Sequence, residues 1–517
     1  QNRRMRWTAA IIAAIFAFAL ASPHAAAGGQ YAATTLTAPA IFTLNRHATG
    51  APEPGTYHVV TQTVSQTGDA WTAETYRSGR NFRTTQRQGS FVTAYGSYDG
   101  RPWSEDSNGW ITHASNDFEE TDPFVASLRN AASESSRVKV LGLTSDGTPQ
   151  VVVEVTPEDG LTERRFYDAQ THLLDRIEMV DFDGHKQIWN YSNYRSAYGL
   201  TLAHLIEYER DGTSVTRRTT LLSYEHTTAA PSLAPPDSRR LFDPGGRDSV
   251  TIPAKFTDGG IIVPVSIGTR TLDFLLDSGS SDLLIDPGVA GELGMRSSGA
   301  EQYSFAGDFT LANARAQSVS VGGLTAANVA FSTARFEEQL TDSRVVGLLG
   351  ADFFASGVVE VDFEKKRLTM LRALPAGLAA AGWSPIPIRL DSEVPMVKAI
   401  FSGQSGHFIA DLGAAYTTLF PHFFARYPGL IPKDVRDEEE MQTIGGKPFG
   451  ITHLTMKTLV LGDWAFANVQ VVVPSAAYAQ QRDFDGLIGR EILSSFDWIF
   501  DYADAQLWFK PIDQNTR

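Results

Sequence analysis

The chain has 517 residues, of which 42% are hydrophobic and 20% charged, with a formal net charge of -15 and no cysteine. Such a length calls for two to four domains, and such a composition belongs to a globular chain rather than a disordered or fibrous one. The acidity argues against a nucleic-acid or anionic-membrane surface, and the missing cysteine removes disulfides, thiol nucleophiles and thiolate metal sites together.

The N-terminus reads as a targeting segment. Arg3, Arg4 and Arg6 precede an apolar run from Ala9 to Ala21, and small residues follow at Ala25, Ala26 and Ala27. That order is the pattern of a secretory signal peptide, and the run is short for a bilayer span. Residues 1–27 are therefore expected to be a cleaved signal peptide. The expectation is a periplasmic or secreted protein with no stable membrane insertion after cleavage.

Residues 28–226 read as a meander of short amphipathic strands. Strands are expected at 56–64, 71–76, 151–155, 164–167, 173–179, 187–191, 203–208 and 215–224, punctuated by Asp-Gly turns such as Asp99-Gly100 and Asp211-Gly212. One helix is expected at 117–132. The histidines here (His47, His58, His113, His172, His185, His204) are scattered and lack metal-ligand spacing. The order Phe166-Tyr167-Asp168 through Arg176-Ile177-Glu178, then Tyr191-Ser192-Asn193-Tyr194 and Tyr198-Gly199-Leu200, resembles the half-barrel of bacterial lipoprotein carriers. That resemblance implies a curved antiparallel sheet, serving as a scaffold or enclosing an apolar cavity.

A Pro- and Gly-rich linker is expected at 227–248, with Ala234-Pro235-Pro236 and Asp243-Pro244-Gly245-Gly246. Beyond it the strands grow longer and more apolar, and their order occurs twice. The first unit (249–378) runs from Ile261–Ile267 through Phe274-Leu275-Leu276-Asp277-Ser278-Gly279-Ser280 to Leu348-Leu349-Gly350 and Val361-Asp362-Phe363. The second (379–517) runs from Val394–Ile400 through Phe408-Ile409-Ala410-Asp411-Leu412-Gly413-Ala414 to Leu487-Ile488-Gly489 and Phe500-Asp501-Tyr502. Asp277 precedes Gly350 by 73 positions and Asp411 precedes Gly489 by 78. A duplicated lobe explains the matched spacing.

Each unit resembles a lobe of the retropepsin-like and pepsin-like aspartic proteases: an apolar strand, an Asp-Ser/Thr-Gly loop, a flap hairpin, and an apolar-apolar-Gly strand leading into a short helix. The resemblance implies a mainly β protein whose second half is a bilobal, retropepsin-like double β-barrel. It implies Asp277 and Asp411 as the catalytic pair, supported by Ser278, Gly279, Ser280, Leu412, Gly413 and Ala414. It further implies a Ser278 hydroxyl bonded across to the other loop and a Ser280 hydroxyl on the Asp277 carboxylate. Flap candidates are Tyr303 and Gly307 in the first lobe and Ile444, Gly445 and Gly446 in the second. Leu412 and Ala414 offer no side-chain donor, so Asp277 is expected to carry the charge and Asp411 the proton. Asp282, Asp286, Asp352, Asp362 and Asp501 read as turn or capping residues, and Asp437-Glu438-Glu439-Glu440 as a solvated helix face.

The function these readings imply is an exported aspartic endopeptidase. It would act on a protein or peptide substrate as a monomer holding both lobes, without metal or cofactor. Two other readings stay open: a non-catalytic peptide binder on the same fold, because of Leu412, and a lipid or lipoprotein binder acting through residues 28–226.

Overall fold

The computed structural model describes residues 31–50, 55–113, 137–145, 147–156, 162–180, 185–211, 215–304, 308–336, 344–390, 393–430, 439–441, 449–474 and 484–512. Contacts divide these into two units. One holds the described residues of 31–104 and 137–235, and the other holds 105–113 and those from 236 onward.

In the first unit, Thr56–Ser65 shows why strands form. Tyr57, Val59, Thr61 and Thr63 alternate with more exposed neighbours, the two-residue period of a half-buried strand. The meander gives one sheet in which Thr56–Ser65 pairs with both Ala70–Ser78 and Arg217–Thr227, so the first and last long strands are neighbours. Every strand expected here is present, and Asn81–Gln88, Phe91–Tyr98, Arg101–Glu105 and Arg137–Leu143 are added. The sequence reading also passed over the helix Ala38–Thr49. This helix has Pro39 in its first turn, ends at Gly50 with φ 78°, and buries Ile41 and Phe42. Two large apolar residues make a thin helical signal. What holds the helix is packing on the sheet, with Phe42 edge-on to Tyr167 at 6.3 Å. The helix expected at 117–132 lies outside the described residues, as does the segment 1–27.

The second unit contains both lobes. In lobe one, Arg270–Leu276 delivers Asp277 and runs parallel to Val345–Leu349, with Phe274, Leu275 and Leu276 opposite Gly347, Leu348 and Leu349. In lobe two, Gln404–Ala410 delivers Asp411 and runs parallel to Gly486–Ile488, with Phe408, Ile409 and Ala410 opposite Gly486, Leu487 and Ile488. The two registers are equivalent residue for residue. Around them close an eight-stranded and a seven-stranded sheet. A six-stranded sheet joins the lobes, because the closing strands Val358–Asp362 and Phe496–Asp501 pair with each other. Phe496–Asp501 is buried at every position, which places the main apolar core across both lobes.

Three stretches differ from the sequence reading. The stretch 227–248 has no apolar-rich strand, yet Leu241 and Phe242 within it are buried in the lobe core, so its second half is packed rather than free. Residues 105–113 fall inside the span 28–226 but make their contacts with the lobes. Glu439 and Glu440 correct the reading of 437–440 as a helix face. They sit in the strand Glu439–Met441, paired with 449–451, and are exposed there, while 437 and 438 lie outside the described residues.

Candidate active site

Both aspartates stand at the ends of buried strands, and the same bond anchors each. Asp277 N–H donates to Leu349 O and Asp411 N–H to Ile488 O, both at 3.0 Å. The apolar-apolar-Gly strand thus fixes where each loop begins. Both side chains are buried, Asp277 at 0% and Asp411 at 1% exposure. A carboxylate so placed is costly unless backbone donors and a cation compensate it.

The loops meet face to face. A Cβ added at Gly279 would lie 2.5 Å from Asp411 Cγ, and one at Gly413 would lie 2.4 Å from Asp277 Cγ. Each glycine is therefore the floor on which the opposite carboxylate rests. Ser278 ties the loops together: its Oγ donates to Ala410 O at 2.7 Å and accepts the Leu412 N–H at 2.9 Å. Leu412 takes part through its backbone while its side chain is fully buried in the lobe core.

Ser280 corrects an expectation. Its hydroxyl donates to Asp282 O at 2.9 Å rather than to the Asp277 carboxylate, and its N–H points to the Asp277 backbone oxygen. Asp277 Oδ1 is left with one donor, Gly279 N–H at 2.9 Å. Asp411 Oδ1 has two, Gly413 N–H at 2.8 Å and Ala414 N–H at 3.0 Å. The donor count thus favours the charge on Asp411, against the expectation drawn from side-chain donors. Burial, then the neighbouring Asp411, pushes the Asp277 carboxyl well above the usual range. Burial raises Asp411 only to about 6, because its backbone donors oppose it. Both carboxyls are raised, and the pair titrates as one system whose extra backbone donor lies on the Asp411 side.

Arg490 was not singled out in the sequence, although its place after Leu487-Ile488-Gly489 was in view. It is buried and donates to Leu412 O at 2.9 Å, Gly413 O at 3.3 Å and Asp258 O at 2.9 Å, bracing the second loop against the first lobe. Its charge favours ionisation of both aspartates. Tyr502, also unflagged, is buried within range of both carboxyls, which help push its phenol upward after burial itself. A cavity of about 720 Å³ opens beside the second loop, lined among others by Phe256, Phe363, Tyr416, Arg490 and Glu491.

Of the remaining expected residues, Leu348, Leu349, Gly350, Leu487, Ile488 and Gly489 form the two anchoring strands and their exits. Tyr303 lies in the strand Ser298–Ser304. Gly307, Ile444, Gly445 and Gly446 lie outside the described residues. Asp286 caps the helix Pro287–Glu292, and Asp362 and Asp501 accept turn N–H groups. Asp282 and Asp352 do more than cap: Asp282 accepts Ser332 Oγ, and Asp352 accepts Asn108 Nδ2. Among the described residues, no group of three or more His, Cys, Asp or Glu is arranged to hold a metal ion. No described helix is long and apolar enough to cross a membrane.

The aspartyl protease family model matches residues 263–353 and 397–492, once per lobe, which bears out the resemblance read from the paired motifs. No curated protein matches the chain. Among solved structures, an aspartic proteinase from Irpex lacteus aligns over 51% of this chain and 98% of its own, at 14% identity and TM-score 0.36. A LolA superfamily protein from Nitrosomonas europaea aligns over 38% of this chain and 96% of its own, at 15% identity and TM-score 0.30. A putative outer membrane lipoprotein-sorting protein domain from Vibrio parahaemolyticus aligns over 37% and 92%, at 12% identity and TM-score 0.29.

Proposed function

We propose that this chain, whose two lobes match the aspartyl protease model, is an exported aspartic endopeptidase with Asp277 and Asp411 as its catalytic pair. The observation that carries the reading is the reciprocal seating of each carboxyl on the other loop's glycine, with the Ser278 bridge holding the loops in register. Peptide hydrolysis needs one group to take a proton from water and another to give one to the carbonyl oxygen. The Asp411 carboxylate accepts the water proton as the water oxygen attacks the peptide carbon. The Asp277 carboxylic acid protonates the carbonyl oxygen, giving a neutral tetrahedral diol. Collapse of the diol breaks the C–N bond as Asp411 gives its proton to the amide nitrogen and Asp277 takes one from a diol hydroxyl, releasing an acid and an amine and restoring the pair.

The basic and apolar N-terminal segment supports export. The substrate is a protein or peptide whose extended backbone lies across the two loops.

The test is hydrolysis of a peptide library by the wild type beside Asp277→Asn and Asp411→Asn. Cleavage by the wild type and a loss of at least 1000-fold in both variants is the expected result, on the order seen when a catalytic group is removed. Full activity in either variant overturns the proposal. Binding of peptides without cleavage by the wild type would instead mark a peptide-binding protein on this fold.

A further inference from the structure

The duplication allows the two lobes to be compared position by position, and the support behind the catalytic loop differs between them. Gly350 answers to Gly489, so Asp352 answers to Glu491, and Leu283 answers to Thr417. In lobe two the clamp is internal: Glu491 Oε1 accepts the Thr417 N–H at 2.5 Å, and Thr417 Oγ1 accepts the Gly489 N–H at 3.1 Å. In lobe one Leu283 has no hydroxyl and Asp352 is one methylene shorter. Asp352 Oδ2 instead accepts from Asn108 Nδ2 at 3.0 Å.

Asn108 sits at the tip of the 105–113 hairpin and pairs with a second partner in both directions. Its Nδ2 donates to Ala330 O at 3.1 Å, and its Oδ1 accepts the Ala330 N–H at 2.8 Å. Ala330 belongs to the strand Leu324–Thr333. From that strand Ser332 donates its N–H to Leu283 O and its hydroxyl to Asp282 Oδ2, both at 2.9 Å. The helix Ala351–Phe354 grips the same loop from the other side, Ala351 N–H donating to Ser280 O at 2.9 Å. One amide side chain thus staples together the two elements that hold residues 280–283, where the chain leaves the Asp277 loop.

The tip is itself fixed. Asp106 Oδ1 accepts the Asn108 and Trp110 N–H groups at 2.9 and 2.8 Å, and Gly109 O accepts the Arg239 N–H at 2.8 Å. Trp110 is buried and stacks on Tyr502 at 5.9 Å, and Tyr502 stacks on Phe354 of the same short helix at 5.6 Å. Resting on the reading of Asp277 and Asp411 as the catalytic pair, we propose that Asn108 is a positioning residue for Asp277. It supplies from the 105–113 hairpin the clamp that lobe two builds from Glu491 and Thr417.

The groups around Asn108 make the clamp sensitive to its chemistry. Asp352, Asp106 and Asp282 are buried together near it, with Glu393 within electrostatic reach of Asp106 and Asp282. An amide donor is tolerated there, and a further ionised carboxylate is not. Asn108→Asp keeps the shape and can donate only while protonated.

The experiment uses the full chain as wild type, Asn108→Ala and Asn108→Asp. It reads kcat and KM for a cleaved peptide from pH 4 to 8, and amide hydrogen exchange in 277–284 and 411–419. Asn108→Ala should lower kcat roughly tenfold with KM within about twofold, as a misplaced catalytic group does, and speed exchange in 277–284 alone. Asn108→Asp should approach wild-type kcat at the acid end and lose it toward neutral pH. Unchanged kcat and exchange in Asn108→Ala overturn the proposal. So does faster exchange in both loops in step with the unfolded fraction, which marks a merely structural role. If the wild type cleaves no peptide the catalytic reading fails alone, and the contrast in exchange between the two loops still decides whether Asn108 holds the Asp277 loop.

Discussion

Gly279 of the first loop lies against Asp411 of the second so closely that a Cβ at residue 279 would fall 2.5 Å from the Asp411 carboxyl carbon. Gly413 stands to Asp277 in the same way, at 2.4 Å. Neither glycine has the positive φ that would explain its presence by backbone freedom, so close approach is the reason. Gly279→Ala and Gly413→Ala should each push the facing carboxyl aside and lower kcat by about 100-fold or more. Peptidase kinetics beside a thermal melt checks this, the melt separating a displaced carboxyl from an unfolded lobe.

Ser278 serves both loops through one oxygen, and its removal has a different signature. Ser278→Ala leaves Ala410 O and Leu412 N–H buried without their partner, at a cost of about 1–3 kcal/mol for each such group. The expected outcome is a lower melting temperature and a lower kcat together. Ser278→Thr keeps the hydroxyl and should retain most of both. A Ser278→Ala protein as stable and active as wild type would show that the bridge does not hold the loops.

What was legible in the sequence follows the range of the interactions involved. Asp277 and Asp411 were readable because a duplicated strand order repeats locally, and each element carries its own apolar period. The strand Thr56–Ser65 was readable for the same reason. Ser280 misled because its hydroxyl has two acceptors within reach, and only the fold chooses Asp282 O over the carboxylate. The donor count erred with it: counting side-chain donors overlooked the Ala414 N–H, which any residue at that position supplies. Asn108 carried no signal at all. Asp106-Ser107-Asn108-Gly109 reads as a polar turn, and its partners Ala330 and Asp352 lie 222 and 244 positions away.

Stability should fall as pH rises. Asp411 and Asp282 are raised to about 6 by burial, and Asp277 and Asp352 are raised further. A carboxyl raised in the folded state binds its proton more tightly there than in the unfolded chain. Its contribution is fully present below the ordinary carboxylate value of about 4 and is lost as pH climbs through the raised value. Asp485 works in the opposite direction. Burial would raise it, yet hydrogen bonds from His422 and the His407 N–H hold it low, so its contribution is lost only as pH falls through that low value. Between pH 4.5 and 8 the raised group dominates, and the melting temperature of the lobes should decline across that window. Asp352→Asn should make the decline shallower, as followed by calorimetry at several pH values.

Activity should have its own profile, set by burial of the pair and moderated by Arg490. The working state carries one proton on the pair, so kcat/KM should rise as Asp411 ionises near pH 6 and fall again once Asp277 loses its proton at higher pH. Arg490 favours the ionised form of both acids, and its side chain donates to the two backbone oxygens Leu412 O and Gly413 O of the second loop. Arg490→Met removes the charge and the donors. Both carboxyls should then move upward, shifting the acid limb of the profile toward neutral pH, while unpaired carbonyls lower stability by about 1–3 kcal/mol each. Arg490→Lys keeps the charge but not the fork that reaches Leu412, Gly413 and Asp258 together. It should hold the acid limb in place while still losing stability. Profiles of kcat/KM for the two variants separate these effects, and an acid limb that stays put in Arg490→Met would show that the guanidinium braces the loop without tuning the pair.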